Sequence, residues 1–168
     1  MSQCRQNFHE ESEAGINKQI NLELFACYTY HAMASHFNRD DVALEGFSKY
    51  FDKASKEERE HADKLMRYQN MRGGRVVFQP IEAPKKSEWT PLEAMQDALA
   101  LEKHVNQALL DLHKIAAKHD DAQMTDYLEG EFLKEQVEAI KEISDHITNL
   151  KRVGEGLGVY MFDKETLE

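Results

Sequence analysis

Phe47-Ser48-Lys49-Tyr50-Phe51-Asp52-Lys53-Ala54-Ser55-Lys56-Glu57-Glu58-Arg59-Glu60-His61-Ala62-Asp63-Lys64-Leu65-Met66-Arg67-Tyr68 decides the fold. Phe47, Phe51, Ala54, Leu65 and Tyr68 step by fours and threes, the spacing of one face of an α-helix. Glu58 and His61 stand in the same register although neither is apolar. A helix this long with an apolar seam must pack against other helices. A carboxylate and an imidazole in the middle of that seam must be neutralised.

Three more segments have the same period. The first runs from about Glu10 to Phe37, with the seam Ile16, Ile20, Glu23, Cys27, Tyr30, Ala34 and Phe37. The second, quoted above, extends from about Leu44 to Arg72, where Gly73-Gly74 supplies a helix stop. The third begins at Thr90-Pro91, an N-cap followed by proline at the first helical position, with Glu93 completing a capping box. Its expected seam is Leu92, Met95, Leu99, Glu102, Asn106, Leu109, His113 and Ala116. The fourth runs from about Gln123 to Val153 as one helix, with Phe132, Gln136, Ile140, Ile143, Ile147 and Leu150 on its seam. Glycines 154, 156 and 158 break it, and Val159 to Leu167 allows two more helical turns.

The connections set the topology. The first and third links are short, so each joins antiparallel neighbours. The link from Gly73 to Glu88 is long and carries Val76-Val77-Phe78 and two prolines, which favours extended chain. A helix of about 28 residues is about 40 Å long, and about sixteen extended residues reach about 50 Å. The link therefore spans the bundle and leaves the second and third helices parallel. The expected fold is all-α: a single-domain four-helix bundle over residues 1–168 with one long crossover and a short fifth helix.

Composition agrees with this and excludes other classes. A chain of 168 residues with 41% hydrophobic and 31% charged residues suits one soluble domain with a charged surface. The formal net charge of -10 disfavours nucleic acid and anionic membranes as partners and favours cations. No stretch approaches the roughly 20 apolar residues of a membrane span, and Met1 to Glu11 has no apolar leader core. Cys4 and Cys27 match no zinc spacing, so a reducing compartment, the cytosol, is the simpler expectation.

Each seam is interrupted near its middle: by Glu23, by Glu58 and His61, by Glu102, and by Gln136. Counted from the helix ends at about 1.5 Å per residue, Glu23 and Glu58 fall level, and Glu102 and Gln136 lie within about a turn of them. One polar seam residue is usually a hydrogen-bonded core group. Five at one depth, with no seam lysine or arginine beside them, call for one or two divalent cations. Carboxylates with one imidazole suit iron or manganese, and zinc also binds such a set. Glu58 and His61, three residues apart, reach one ion from a single helix face.

At these residues the chain resembles the ferritin family. The stretches that carry the likeness are Asn21-Leu22-Glu23-Leu24, Glu57-Glu58-Arg59-Glu60-His61-Ala62, Leu101-Glu102-Lys103 and Glu135-Gln136-Val137, with Arg5-Gln6-Asn7 and Phe162-Asp163-Lys164. Ferritin-like di-iron proteins place one glutamate on each of two helices and Glu-x-x-His on each of the other two. Here the fourth helix departs, with Gln136 for glutamate and Ala139 for histidine. The departure is similar to the animal heavy-type subunit, in which a second iron is held weakly.

The resemblance implies a ferroxidase that oxidises Fe(II) with O₂ and stores the ferric product in a cage of two dozen subunits, of one chain type or mixed. It implies a first iron on Glu23, Glu58 and His61 and a second on Glu58 and Glu102 with Gln136 nearby. Tyr30 would stand beside the centre and Glu57 at a transit position. Asp126 and Glu129, with His113 near them, would line three-fold channels, although from the sequence alone they read as solvated acids at a helix start. Glu57, Glu60 and Asp63 would form an acidic inner face for mineral. Val159 and Met161 would be apolar at the four-fold axis. A light-type storage chain is disfavoured because Glu23, Glu58, His61 and Glu102 are all present. Another kind of di-iron oxidoreductase would need the second histidine that Ala139 replaces.

Overall fold

The structure, a computed structural model, describes residues 1–167. Glu168, the last residue of the expected domain, lies outside the described residues. In order, the helices are α1 (Glu10–Phe37), α2 (Glu45–Met71), α3 (Pro91–Lys118), α4 (Ala122–Leu128), a π-helical turn (Glu129–Leu133), α5 (Lys134–Val153) and α6 (Leu157–Glu165). No strand occurs among the described residues, and no described helix is long and apolar enough to cross a membrane.

The first three helices begin and end where their signals place them. Thr90 Oγ1 accepts from Glu93 N at 3.2 Å, and Glu93 Oε2 accepts from Thr90 N at 3.0 Å, which is the capping box. At the end of α2, Gly73 takes a φ of 83°, a left-handed conformation that a side chain would strain. This turn lets Gly74 N donate to Gln69 O at 2.9 Å. The start of α2 has no side-chain cap of its own. Asp163 of α6 supplies one, its Oδ1 accepting from Phe47 N at 2.8 Å. Gly46 permits this approach, since a Cβ there would overlap the Asp163 carbonyl.

Two features differ from expectation. The fourth helix is not one α-helix, because residues 129–133 form the π-helical turn. Such a turn admits an extra residue and re-aims the side chains of the helix beyond it. The third seam is also rotated: Ala94, Ala98, Val105 and Leu112 are buried, whereas Leu92, Leu99, Asn106 and His113 are only part-buried. In addition, α6 starts at Leu157, two residues ahead of Val159.

Hydrogen bonds trace the topology. Ala34 pairs with Ser48, Cys27 with Ser55 and Glu13 with Gln69, so α1 and α2 run antiparallel. The crossover climbs α1: Asn17 bonds Arg75 O and Val77 N, Asn21 bonds Gln79 O and Pro80 O, and Arg39 pairs with Glu88 at 2.7 Å. It spans nearly the length of that helix, which leaves α2 and α3 parallel. One core cluster is aromatic, with Phe37, Phe47, Phe51 and Phe162, and the other gathers Ile16, Ile20, Leu65, Leu109 and Met124. Each such side chain contributes about 1.5–3 kcal/mol on burial. Along α2, α3 and α5 the interrupting polar residues lie between the two clusters.

Candidate metal centre

Glu23, Glu58, His61, Glu102 and Gln136 are all buried. Helix packing brings them together from α1, α2, α3 and α5. One ligand atom from each of Glu23, Glu58 and His61 lies within 4.8 Å of the others. His61 Nδ1 is 3.1 Å from Glu58 Oε2, the one-turn reach that their spacing predicts. Gln136 Nε2 donates to Glu102 Oε2 at 2.9 Å and to the Glu102 carbonyl at 3.2 Å. Tyr30, also fully buried, donates its hydroxyl to Glu102 Oε1 at 2.6 Å.

Glu23 is held in place on one side and free on the other. Gln19, buried beside Glu23, donates Nε2 to Glu23 Oε1 at 3.0 Å. The second oxygen, Oε2, is buried with no hydrogen-bond partner. A buried acceptor in this condition costs about 1–3 kcal/mol, more if charged. Burial, with the charge of Glu58 next, pushes the Glu23 carboxyl well above its ordinary value of 4.5. Burial and the Glu102 charge do the same to Glu58. Burial and Glu102 also push the Tyr30 phenol up, so it remains a donor. A divalent cation would neutralise these carboxylates. The donor set, carboxylate oxygen with a single imidazole, fits iron.

A groove of about 650 Å³ opens beside the cluster. Glu57, Glu58, His61, Glu102, Glu135, Gln136, Ala139, Glu142 and His146 are among its walls. Glu57, half-exposed, leads from solvent toward Glu58, and burial raises its carboxyl above the ordinary value against the pull of Lys53. Sequence reasoning gives Glu135 no role, yet its Oε1 lies 3.2 Å from His61 Nε2. Its position next to Gln136 is the one signal that could have found it. Ala139 leaves open the wall where a second histidine would stand.

Asp126 and Glu129 are exposed and are not part of the buried layer. Glu129 Oε1 lies 3.1 Å from His113 Nε2, so that pair does meet. Glu60 is exposed and Asp63 part-buried on α2, with Asp63 Oδ1 3.3 Å from Arg59 Nε. Cys4 and Cys27 are both free thiols.

Comparison with known proteins agrees with the geometry. A model of the ferritin-like domain matches residues 13–153. The chain is 68% identical to the soma ferritin of Lymnaea stagnalis over 99% of this chain and 97% of that one. It is 61% identical to the ferritin-1 heavy chain of Schistosoma mansoni, again over 99% and 97%. It is 56% identical to the ferritin middle subunit of Aquarana catesbeiana over 100% and 98%. The chain belongs to the ferritin family, and iron storage is what that membership implies.

Proposed function

We propose that this chain is a heavy-type ferritin subunit that oxidises Fe(II) with O₂ and stores the ferric product. Iron is the substrate, two ions per chain. Glu23, Glu58 and His61 receive the first, and Glu58, as a bridge, receives the second with Glu102 and Gln136. The observation that carries the reading is Glu23 Oε2, buried without a partner in a cluster whose donors lie within 4.8 Å of one another.

Each Fe(II) gives one electron to O₂, which takes up two protons to leave as hydrogen peroxide. Gln19 holds one oxygen of Glu23, so that carboxylate turns a fixed edge toward the ions, while Tyr30 and Gln136 between them hold both oxygens of Glu102 and fix its orientation. Gln136 brings an amide where a fourth carboxylate would bind more firmly, so Fe(III) leaves for storage. Hydrolysis then yields ferric oxyhydroxide and protons. Glu57 and Glu135 flank the groove and pass ions between the centre and solvent. Asp126 and Glu129, with His113, draw Fe(II) in through channels between subunits. Assembly into a cage of 24 subunits, of this chain alone or mixed, provides the storage volume. The free thiols suit a reducing compartment, and we place the protein in the cytosol.

Loading the purified protein aerobically with Fe(II) tests this function. Iron that co-elutes with a high-mass assembly as a ferric core supports storage. Iron that precipitates as fast as in buffer, with none retained by the protein, contradicts it.

A further inference from the structure

A second group of metal-ligating side chains lies away from the buried layer. His9 caps the N-terminus of α1, and His119 caps the C-terminus of α3. Their rings stack with centroids 3.5 Å apart and planes 7° from parallel. Glu11 Oε2 lies 3.4 Å from His119 Nε2. One ligand atom from each of the three lies within 4.8 Å of the others.

A neutral imidazole has a ring-nitrogen lone pair to give, and the stack brings two such rings to one carboxylate. His119 Nε2 is shut off from solvent and has no well-formed hydrogen bond. Lys118 Nζ, 3.3 Å from the Glu11 carboxylate, is mostly exposed. A surface pair of that kind is weakly held and yields to a stronger cation. Two imidazoles and one carboxylate form a donor set that selects zinc and its neighbours over calcium or magnesium.

We propose that His9, Glu11 and His119 form a surface site for one divalent transition-metal ion of the zinc class, separate from the carboxylate layer inside the bundle. Occupancy requires two small changes. The rings swing out of parallel so that both lone pairs meet at one point. His9 Nδ1 now accepts from Glu11 N at 3.1 Å. Coordination through Nε2 moves the ring proton to Nδ1 and gives up that cap bond. The ion would then cross-link the start of α1 to the end of α3. The proposal does not depend on the ferroxidase reading.

The test titrates metal-free full-length protein with Zn²⁺ against a chromophoric chelator. The background carries Glu58→Ala and His61→Ala to silence the inner cluster, and His9→Asn or His119→Ala is added. Asparagine is a strong N-cap, so His9→Asn removes the imidazole without fraying α1. Each addition is expected to remove one zinc equivalent per chain, or weaken one equivalent by more than roughly 100-fold, beyond the roughly 10–100-fold that outer-sphere partners of a metal cost. The same one-equivalent difference is read in the otherwise native chain, so the result does not depend on the background folding. Titrations that superimpose, or a loss in only one of the two variants, overturn the site.

Discussion

Gln19 donates its side-chain amide to one oxygen of Glu23 at 3.0 Å and leaves the other oxygen of the same carboxylate buried and unpartnered. The amide fixes which oxygen faces the cluster. Gln19→Leu keeps the volume and removes the restraint. It is expected to weaken metal binding at the Glu23 side by roughly 10–100-fold, the range for partners that orient ligands. Calorimetric titration of metal-free protein with a redox-inert divalent ion reads this, and an unchanged affinity would contradict the positioning role.

The inner cluster should cost the metal-free protein stability. Glu58→Leu with His61→Phe replaces buried ionisable groups with apolar ones in the same seam. It is expected to leave the metal-free fold as stable as before or to stabilise it by about 1–4 kcal/mol. It should also abolish rapid iron oxidation. Denaturant unfolding and an oxidation assay on the same preparation check both halves. A large destabilisation would mean that the native network is fully satisfied without metal.

The same cluster sets a pH dependence. The Glu23 and Glu58 carboxyls are raised above 4.5 by burial and by neighbouring carboxylate charge. Below 4.5 both folded and unfolded chains hold these protons, and the groups contribute nothing. Above it the unfolded chain releases them first, so stability of the metal-free protein falls as pH rises toward the raised values. Thermal midpoints measured against a Glu23→Gln, Glu58→Gln variant isolate this effect. The native protein should lose midpoint relative to the variant as pH rises from about 5 to 7, and a divalent ion should reverse the loss. Parallel profiles would contradict it.

Asp163 caps α2 from another helix. Asp163→Ala removes the cap and frees the end of α6. The expected cost is about 1–2 kcal/mol, or a fall of about 2–4 °C per kcal/mol in the thermal midpoint. Asp163→Asn keeps an acceptor oxygen and should lose less. Equal losses in the two variants would show that the carboxylate acts through charge rather than through the bond to Phe47 N.

Much of this is legible in the sequence, and the exceptions have physical causes. The bounds of α1 come from its periodicity, and Thr90-Pro91 marks the start of α3 because capping is a local interaction. The five seam residues stand out because a buried charge breaks an apolar pattern. The π-helical turn at 129–133 is not visible, because one extra residue in the hydrogen-bond register barely disturbs an apolar period. The α3 seam reads one residue out at Leu99, Asn106 and His113 and two out at Leu92, because Leu99 outweighs Ala98 in hydrophobicity although Ala98 is the buried residue. Glu135 escapes notice because a half-exposed carboxylate on an acidic helix carries no signal until its distance to His61 is known.

The most direct test mixes metal-free protein with about two Fe(II) per chain in oxygenated buffer and monitors absorbance by stopped flow. A transient visible band that decays to ferric ultraviolet absorbance, present in the native protein and absent from Glu58→Ala with His61→Ala, is the predicted result. Oxidation no faster than buffer alone, or equally fast in the variant, would contradict a ferroxidase centre at Glu23, Glu58, His61 and Glu102.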